Sequence, residues 1–124
     1  MSVHYDAGAL VAADRNDRAI WADHTARLEL GIVPITTAPV IAQASRSPRQ
    51  AQLRRFLRGC HIRDFTKDDS HPVGALLAKS KSADIVDAHL VLATTDDDTV
   101  ITLDPDDLRR LAGALNRRIR IREI

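Results

Sequence analysis

Short β-branched segments alternate with alanine- and leucine-rich segments along the whole chain, and this alternation limits the possible folds more than any other feature. The strand-like runs are Val3–Tyr5, Ile32–Ile35, His61–Phe65, Thr99–Leu103 and Arg118–Arg122. The segments between them carry apolar residues at helical spacing, and no Asn-Gly hairpin signal joins two strands. The pattern therefore predicts an α/β fold, a three-layer sandwich with a mostly parallel central sheet of about five strands flanked by helices.

The composition predicts a single domain over residues 1–124 and excludes several classes of protein. Hydrophobic residues make up 44% of the chain and charged residues 28%, which is typical of a globular protein and too apolar for disorder. The one cysteine, Cys60, excludes an intramolecular disulfide and a thiolate zinc site. No apolar run approaches the roughly 20 residues that span a bilayer. We therefore expect a cytoplasmic protein that does not enter a membrane.

Charge is divided unevenly along the chain. Residues 64–107 contain eleven acidic and three basic residues, whereas the segments before and after carry net charges of +4 and +5. Fifteen of the eighteen basic residues are arginine, whose planar guanidinium group suits phosphate. This distribution fits a metal site flanked by nucleic-acid contacts, and it equally fits solvated helix faces that pair across the fold.

Three aspartates fall where a parallel sheet places functional side chains. Asp6 and Asp104 each follow a predicted strand, and the carboxyl ends of parallel strands meet at one edge of the sheet. Asp87 lies in an otherwise apolar helix, and Asp84, three residues earlier, shares its face. Taken singly, each aspartate could be a helix cap. If they converge, they repel one another unless a cation intervenes, and oxygen ligands suit Mg²⁺ or Mn²⁺.

Four stretches, in this order and spacing, carry a resemblance to a known family. They are Tyr5-Asp6-Ala7-Gly8-Ala9-Leu10, residues 38–46, Asp84-Ile85-Val86-Asp87-Ala88-His89-Leu90 and residues 100–108. They resemble PIN-domain ribonucleases, most of all the VapC toxins of actinobacterial type II toxin–antitoxin modules. The resemblance runs nearly end to end. It implies a PIN-like fold and an Mg²⁺- or Mn²⁺-dependent endoribonuclease toxin that cleaves tRNA or rRNA. It also implies a homodimer that a VapB-type antitoxin neutralises.

The resemblance also assigns site residues. It places the metal-binding acids at Asp6, Asp87 and Asp104. Gln43 falls where the family usually has a glutamate, and we expect it to face Asp6 and to orient water or substrate. Supporting candidates are Thr102, Asp84 and Asp107, and either Asp104 or Asp107 completes the acidic site.

Two further expectations concern the substrate. The candidate contacts to the RNA backbone are Arg46, Arg49, Arg54 and Arg55, which would make the affinity depend on salt. Because Gln43 is neutral, the alternative function is a weakened PIN-like module that binds RNA or protein without cutting.

Overall fold

Five short strands form one parallel sheet in the computed structural model, which describes residues 1–124. The strands are β1 (Val3–Tyr5), β2 (Ile35–Thr37), β3 (His61–Arg63), β4 (Thr99–Thr102) and β5 (Arg120–Glu123). Their order across the sheet is β3-β2-β1-β4-β5, and every neighbouring pair is parallel. The predicted α/β fold with a central parallel sheet is confirmed.

Seven α-helices connect the strands and cover both faces of the sheet. They are α1 (Ala7–Asp14), α2 (Arg18–Glu29), α3 (Ala38–Ala44), α4 (Ala51–Leu57), α5 (Ser70–Ser80), α6 (Ile85–Ala93) and α7 (Pro105–Ala114). Helix α1 contacts α2, α3 and α4, whereas α5, α6 and α7 contact one another. Connections between parallel strands are right-handed, so the side of the sheet that a helix covers depends on the direction in which the chain crosses the sheet. The chain moves towards one edge to form β2 and β3 and towards the other edge to form β4 and β5, which puts the two groups of helices on opposite faces. No helix is both long enough and apolar enough to cross a bilayer.

The core is mainly aliphatic, as the low aromatic content requires. Nineteen buried hydrophobic residues form one cluster, in which Leu10, Leu90 and Leu111 are fully buried. Tyr5 and Phe56 are the only aromatic members, and their ring centroids lie 5.0 Å apart. The sheet is therefore held between its two helical layers chiefly by leucine, valine and alanine side chains.

The second strand differs from its predicted position. The run Ile32–Ile35 predicts a strand, but β2 begins only at the last residue of the run. Gly31, which follows α2, has a φ of 75°, and the first two residues of the run are an exposed loop after it. Pro34 has no N–H group to donate to a ladder. Its carbonyl still accepts a hydrogen bond from the N–H of His61 at 2.8 Å, so the hydrogen bonds between this segment and β3 begin at Pro34. The strands β3 and β5 are also shorter than predicted: β3 ends at residue 63 and β5 begins at residue 120.

The direction of the chain across the sheet reverses between β1 and β4. From β1 the chain proceeds to β2 and β3, and it then crosses back to β4 on the other side of β1. In open parallel sheets such a reversal leaves a crevice outside the carboxyl ends of the two strands. Asp6 follows β1 directly, and Asp104 lies two residues after β4.

Candidate active site

The Asp6 carboxylate is buried in this crevice and held by two hydrogen bonds. One oxygen, Oδ1, accepts from the N–H of Ala9 at 3.0 Å, so Asp6 is the N-cap of α1. The other, Oδ2, accepts from the hydroxyl of Thr102, which is fully buried at the end of β4. Burial raises the pKa of Asp6, and these hydrogen bonds oppose the rise without cancelling it. The side chain is thus fixed in orientation although its charge is incompletely stabilised.

The Thr102 hydroxyl also connects Asp6 to the loop that carries Asp104. It accepts a hydrogen bond from the N–H of Asp104 at 2.8 Å. The Asp104 side chain is exposed and makes no capping hydrogen bond to α7, and its negative charge adds to the raised pKa of Asp6. Asp104 is therefore positioned by its backbone and leaves its carboxylate free in the crevice.

Gly8 allows α1 to approach this loop. A Cβ atom built at Gly8 would lie 2.8 Å from the Cβ of Leu103, which is closer than side chains tolerate. A larger residue would push the start of α1 away from the end of β4, and the hydrogen bond between Asp6 and Thr102 would lengthen with it. Gly8 lies within the first stretch of the resemblance, but its packing role becomes visible only in three dimensions.

Asp84 and Asp87 approach the same crevice from the start of α6. Asp84 is the N-cap, and its Oδ1 accepts from the N–H of Asp87 at 3.0 Å. Burial, followed by repulsion from Asp84, raises the pKa of Asp87 to about 7. Asp6 and Asp107 repel the Asp87 carboxylate as well and act in the same direction. The carboxylates of Asp6, Asp84 and Asp107 therefore all repel that of Asp87, and this repulsion adds to the effect of burial on its pKa.

This arrangement fits a hydrated divalent cation better than a fully protein-ligated one. No three Asp, Glu, His or Cys side chains come close enough to hold a metal ion among themselves. Mg²⁺ commonly binds through one or two carboxylates and keeps several waters, so it does not require such a cluster. The repulsion that raises the pKa of Asp87 is what a cation would relieve. The carboxylates present could therefore hold Mg²⁺ or Mn²⁺ only in part, with water completing the coordination.

An open groove of about 590 Å³ adjoins Asp84 and Asp107, whereas Asp6, Asp87 and Asp104 lie outside its lining. Its polar lining includes Gln43 from α3, Asp84 from α6 and Asp107 from α7, together with Lys81 and Arg110. Gln43 is exposed and makes no hydrogen bond to Asp6 or Asp87, so it belongs to the rim that Asp84 and Asp107 form. The sequence did not single out the two cations in this groove. For Arg110, the sequence feature that could have indicated its position is the i, i+3 spacing from Asp107, with which it pairs through Nη2 and Oδ1.

The four arginines proposed for RNA contacts lie outside the groove lining. Arg54 donates to the carbonyl of Pro48 at 2.6 Å, and the guanidinium of Arg55 stacks 4.6 Å from the centre of the Trp21 ring. Arg46 donates to the Ser45 carbonyl. Arg49 forms no side-chain hydrogen bond or ion pair and is exposed. The exposed arginines form a basic region along α4 and the loop before it, and all of them except Arg49 are already held by a side-chain contact within the chain.

We expect Asp87 to lower the stability of the metal-free protein as the pH rises from about 4 towards 7, against the opposite contribution of His4 and His24, whose pKa values burial lowers. In the folded state Asp87 keeps its proton up to a pKa of about 7, whereas the unfolded chain ionises near 3.8, so the folded state binds more protons between these values. Urea unfolding in EDTA at about pH 5 and about pH 7.5 measures the fall. The Asp87→Asn variant should show a smaller fall. Asp106→Asn, which alters an exposed aspartate of α7, should behave as the wild type. An equal fall in Asp87→Asn and wild type would contradict the assignment.

Comparison with known proteins supports the architecture. No protein-family model matches the sequence, and no curated protein matches it either. Among solved structures, the chain is similar to one in the crystal structure of VapBC2 from Rickettsia felis bound to a DNA fragment from their promoter. The TM-score is 0.71 at 16% sequence identity, and the similarity covers 98% of each chain. Identity this low establishes the fold alone, and the chain has the PIN-like α/β fold that was predicted from its sequence.

Proposed function

We propose that this protein is a metal-dependent endoribonuclease toxin that cleaves RNA such as tRNA or rRNA. The observation that carries the proposal is the crowding of carboxylates at the reversal point of a PIN-like sheet, where burial and then repulsion raise the pKa of Asp87 to about 7. Perturbed carboxylates in a crevice are typical of catalytic sites, because a structural role would favour pairing them with cations. Hydrolysis of a phosphodiester bond is the reaction that such a site suits.

Asp6, Asp87 and Asp104 would hold the Mg²⁺ or Mn²⁺ ion. When bound, the ion activates water and stabilises the charge that develops on the scissile phosphate. Asp6 contributes a carboxylate whose orientation Thr102 and the start of α1 already fix. Asp87 contributes one that exchanges its proton near neutral pH. Gln43 offers an uncharged amide at the groove rim, where it can orient water or substrate by donating and accepting hydrogen bonds.

The proposed partners follow from the same charge distribution. An acid-lined groove complements an arginine of a VapB-type antitoxin, since a guanidinium group can pair with a carboxylate in two parallel hydrogen bonds. The chain is similar to part of the VapBC2 structure, which supports such a pairing here. We also propose a homodimer and a cytoplasmic location, as the family resemblance implies.

A second candidate function is a PIN-like module that binds RNA or protein without cleavage. It is favoured by Gln43, a neutral side chain where the resembled family usually has a glutamate, and by the lack of three converging ligands. Titration calorimetry with Mn²⁺ separates the two functions. Binding at submillimolar concentration supports the nuclease, whereas no binding at millimolar concentration supports the module.

The carboxylates should be required for RNA cleavage. We expect wild-type protein with Mg²⁺ or Mn²⁺ to cleave total RNA, and Asp6→Asn or Asp87→Asn to reduce the rate by about 10–100-fold or more, because each removes a charge from the cation site. The matched control is Asp106→Asn, whose aspartate is exposed and pairs with Arg109. Equal rates in all four proteins, or cleavage that persists in EDTA, would contradict the proposal.

Restoring an acid at position 43 should strengthen metal binding. We expect Gln43→Glu to tighten Mn²⁺ binding by about 1–2 kcal/mol, or about five- to thirtyfold, because it adds a negative charge to the groove. Calorimetry measures the affinity, and cleavage should rise with it. Asn116→Asp is the control, since it adds the same charge at an exposed position that does not line the groove. Unchanged affinity in Gln43→Glu would place this residue outside the cation's field.

Expression of the chain alone in a bacterial host should arrest growth. Asp87→Asn, at equal expression, should permit growth, because the proposed toxicity requires the cation site. Co-expression of the cognate VapB-type antitoxin should restore growth to the wild-type strain. Unaffected growth in cells that accumulate folded wild-type protein would contradict the toxin assignment.

A further inference from the structure

We propose that Lys81 and Arg110 bind the phosphodiester backbone of single-stranded RNA in the groove beside the carboxylates. The inference deepens the proposed function, because it names the residues that would recognise the substrate of that same site. Both residues line the groove together with Gln43, Asp84 and Asp107. They come from different helical connections, the end of α5 and the second turn of α7, which the fold brings to one rim.

Two carboxylates, those of Asp84 and Asp107, line the groove and repel the phosphates of a polyanion. Basic side chains in the same lining can offset this repulsion and bind the phosphates directly. Lys81 and Arg110 are the two basic residues among the lining residues of the groove.

Arg110 retains donors for a phosphate. Its Nη2 donates to Oδ1 of Asp107, and its side chain remains 54% exposed. A guanidinium group has five N–H donors in a planar fork, so one contact with Asp107 leaves several for phosphate oxygens. The contact with Asp107 also holds the guanidinium at the groove instead of allowing it to extend into solvent.

Lys81 forms no ion pair, and its backbone has an unusual conformation at the rim of the groove. It ends α5 with φ 57° and ψ 34°, the left-handed region in which glycine is the usual residue. Its ammonium group makes no ion pair or hydrogen bond with another residue of the chain, and the residue is exposed. Lys81 thus places an ammonium group without an ion pair beside the groove, where it can bind an anionic ligand.

The chain provides a matched control for each residue. Arg109 pairs with Asp106 through the same i, i+3 spacing as Arg110 with Asp107, and its side chain is 60% exposed, but it does not line the groove. Lys79 is an exposed lysine in the last turn of α5, two residues before Lys81, and it also lies outside the lining. Each control removes the same charge from the same part of the chain as its test variant, although Lys79 is helical and Lys81 is the left-handed C-cap.

The test measures RNA binding apart from cleavage. Fluorescence anisotropy of a short labelled single-stranded oligoribonucleotide of mixed sequence is followed against salt in the Asp87→Asn background, which spares the probe. Lys81→Ser and Arg110→Ser should each lower affinity by about five- to tenfold at about 50 mM salt, and each should reduce the slope of log affinity against log salt by about 0.7. Lys79→Ser and Arg109→Ser should leave both values unchanged.

A second readout separates phosphate binding from a merely structural role. In the otherwise wild-type protein, Arg110→Ser should leave Mn²⁺ affinity unchanged or raise it, because the substitution removes a positive charge near the carboxylates. Weaker RNA binding with intact Mn²⁺ binding therefore supports the proposal. Equal RNA binding by test and control variants, or no RNA binding by the parent protein, would overturn it. If the parent binds RNA through these residues but wild type never cleaves it, the binding site stands and the nuclease function fails.

Discussion

The hydrogen bond from the Thr102 hydroxyl to Asp6 joins the two central strands at the point where the sheet reverses direction. Asp6 begins α1, and Thr102 ends β4, so this contact connects one helical layer to the strand that leads into the other. The same hydroxyl accepts from the N–H of Asp104 and thereby fixes the loop beyond the strand. The geometry of the crevice depends on this threonine, because it orients one carboxylate through its side chain and positions a second through the backbone.

The two edges of the sheet give an aspartate side chain opposite surroundings: Asp98 is buried among donors, and Asp87 is half-buried among carboxylates. At the amino edge, Asp98 is buried, but it accepts hydrogen bonds from the N–H groups of Ser2 and Thr95 and from Nε2 of His4 at 3.0 Å. Burial alone would raise the pKa of Asp98, and these donors outweigh it, so the pKa is lowered. At the carboxyl edge, Asp87 has carboxylates as neighbours, and its pKa is raised. The chain thus surrounds Asp98 with hydrogen-bond donors, whereas it places Asp87 beside other carboxylates.

This contrast gives the crevice its functional character. Uncompensated carboxylates lower the stability of the metal-free fold at neutral pH, and such local costs are typical of sites whose ligand supplies the missing charge. The groove beside them combines that acidic field with the cations Lys81 and Arg110. A groove lined by both acidic and basic side chains suits two ligands of opposite charge, namely a metal ion and a phosphate.

The sequence by itself determined the fold class and the candidate acids. Alternating strand and helix segments without hairpin signals specify a parallel sheet, because parallel strands need helical crossovers. Aspartates that follow strands necessarily lie at the carboxyl edge of such a sheet, so Asp6 and Asp104 could be placed there from their positions alone. The bounds of β2 could not, because a short apolar run does not reveal that Pro34 leaves its first residues outside the ladder.

Only the tertiary structure decided which charges share a field. Asp87 and Asp107 come from different helices, and their repulsion depends on how α6 and α7 pack against the end of the sheet. The same packing brings Lys81 and Arg110 to the groove. Outside the groove, Arg54 contacts the carbonyl of Pro48 and Arg55 contacts the ring of Trp21. Composition and spacing report which side chains are available along a helix face. Electrostatic interaction falls off with distance through space, so its partners are fixed only when the helices have docked.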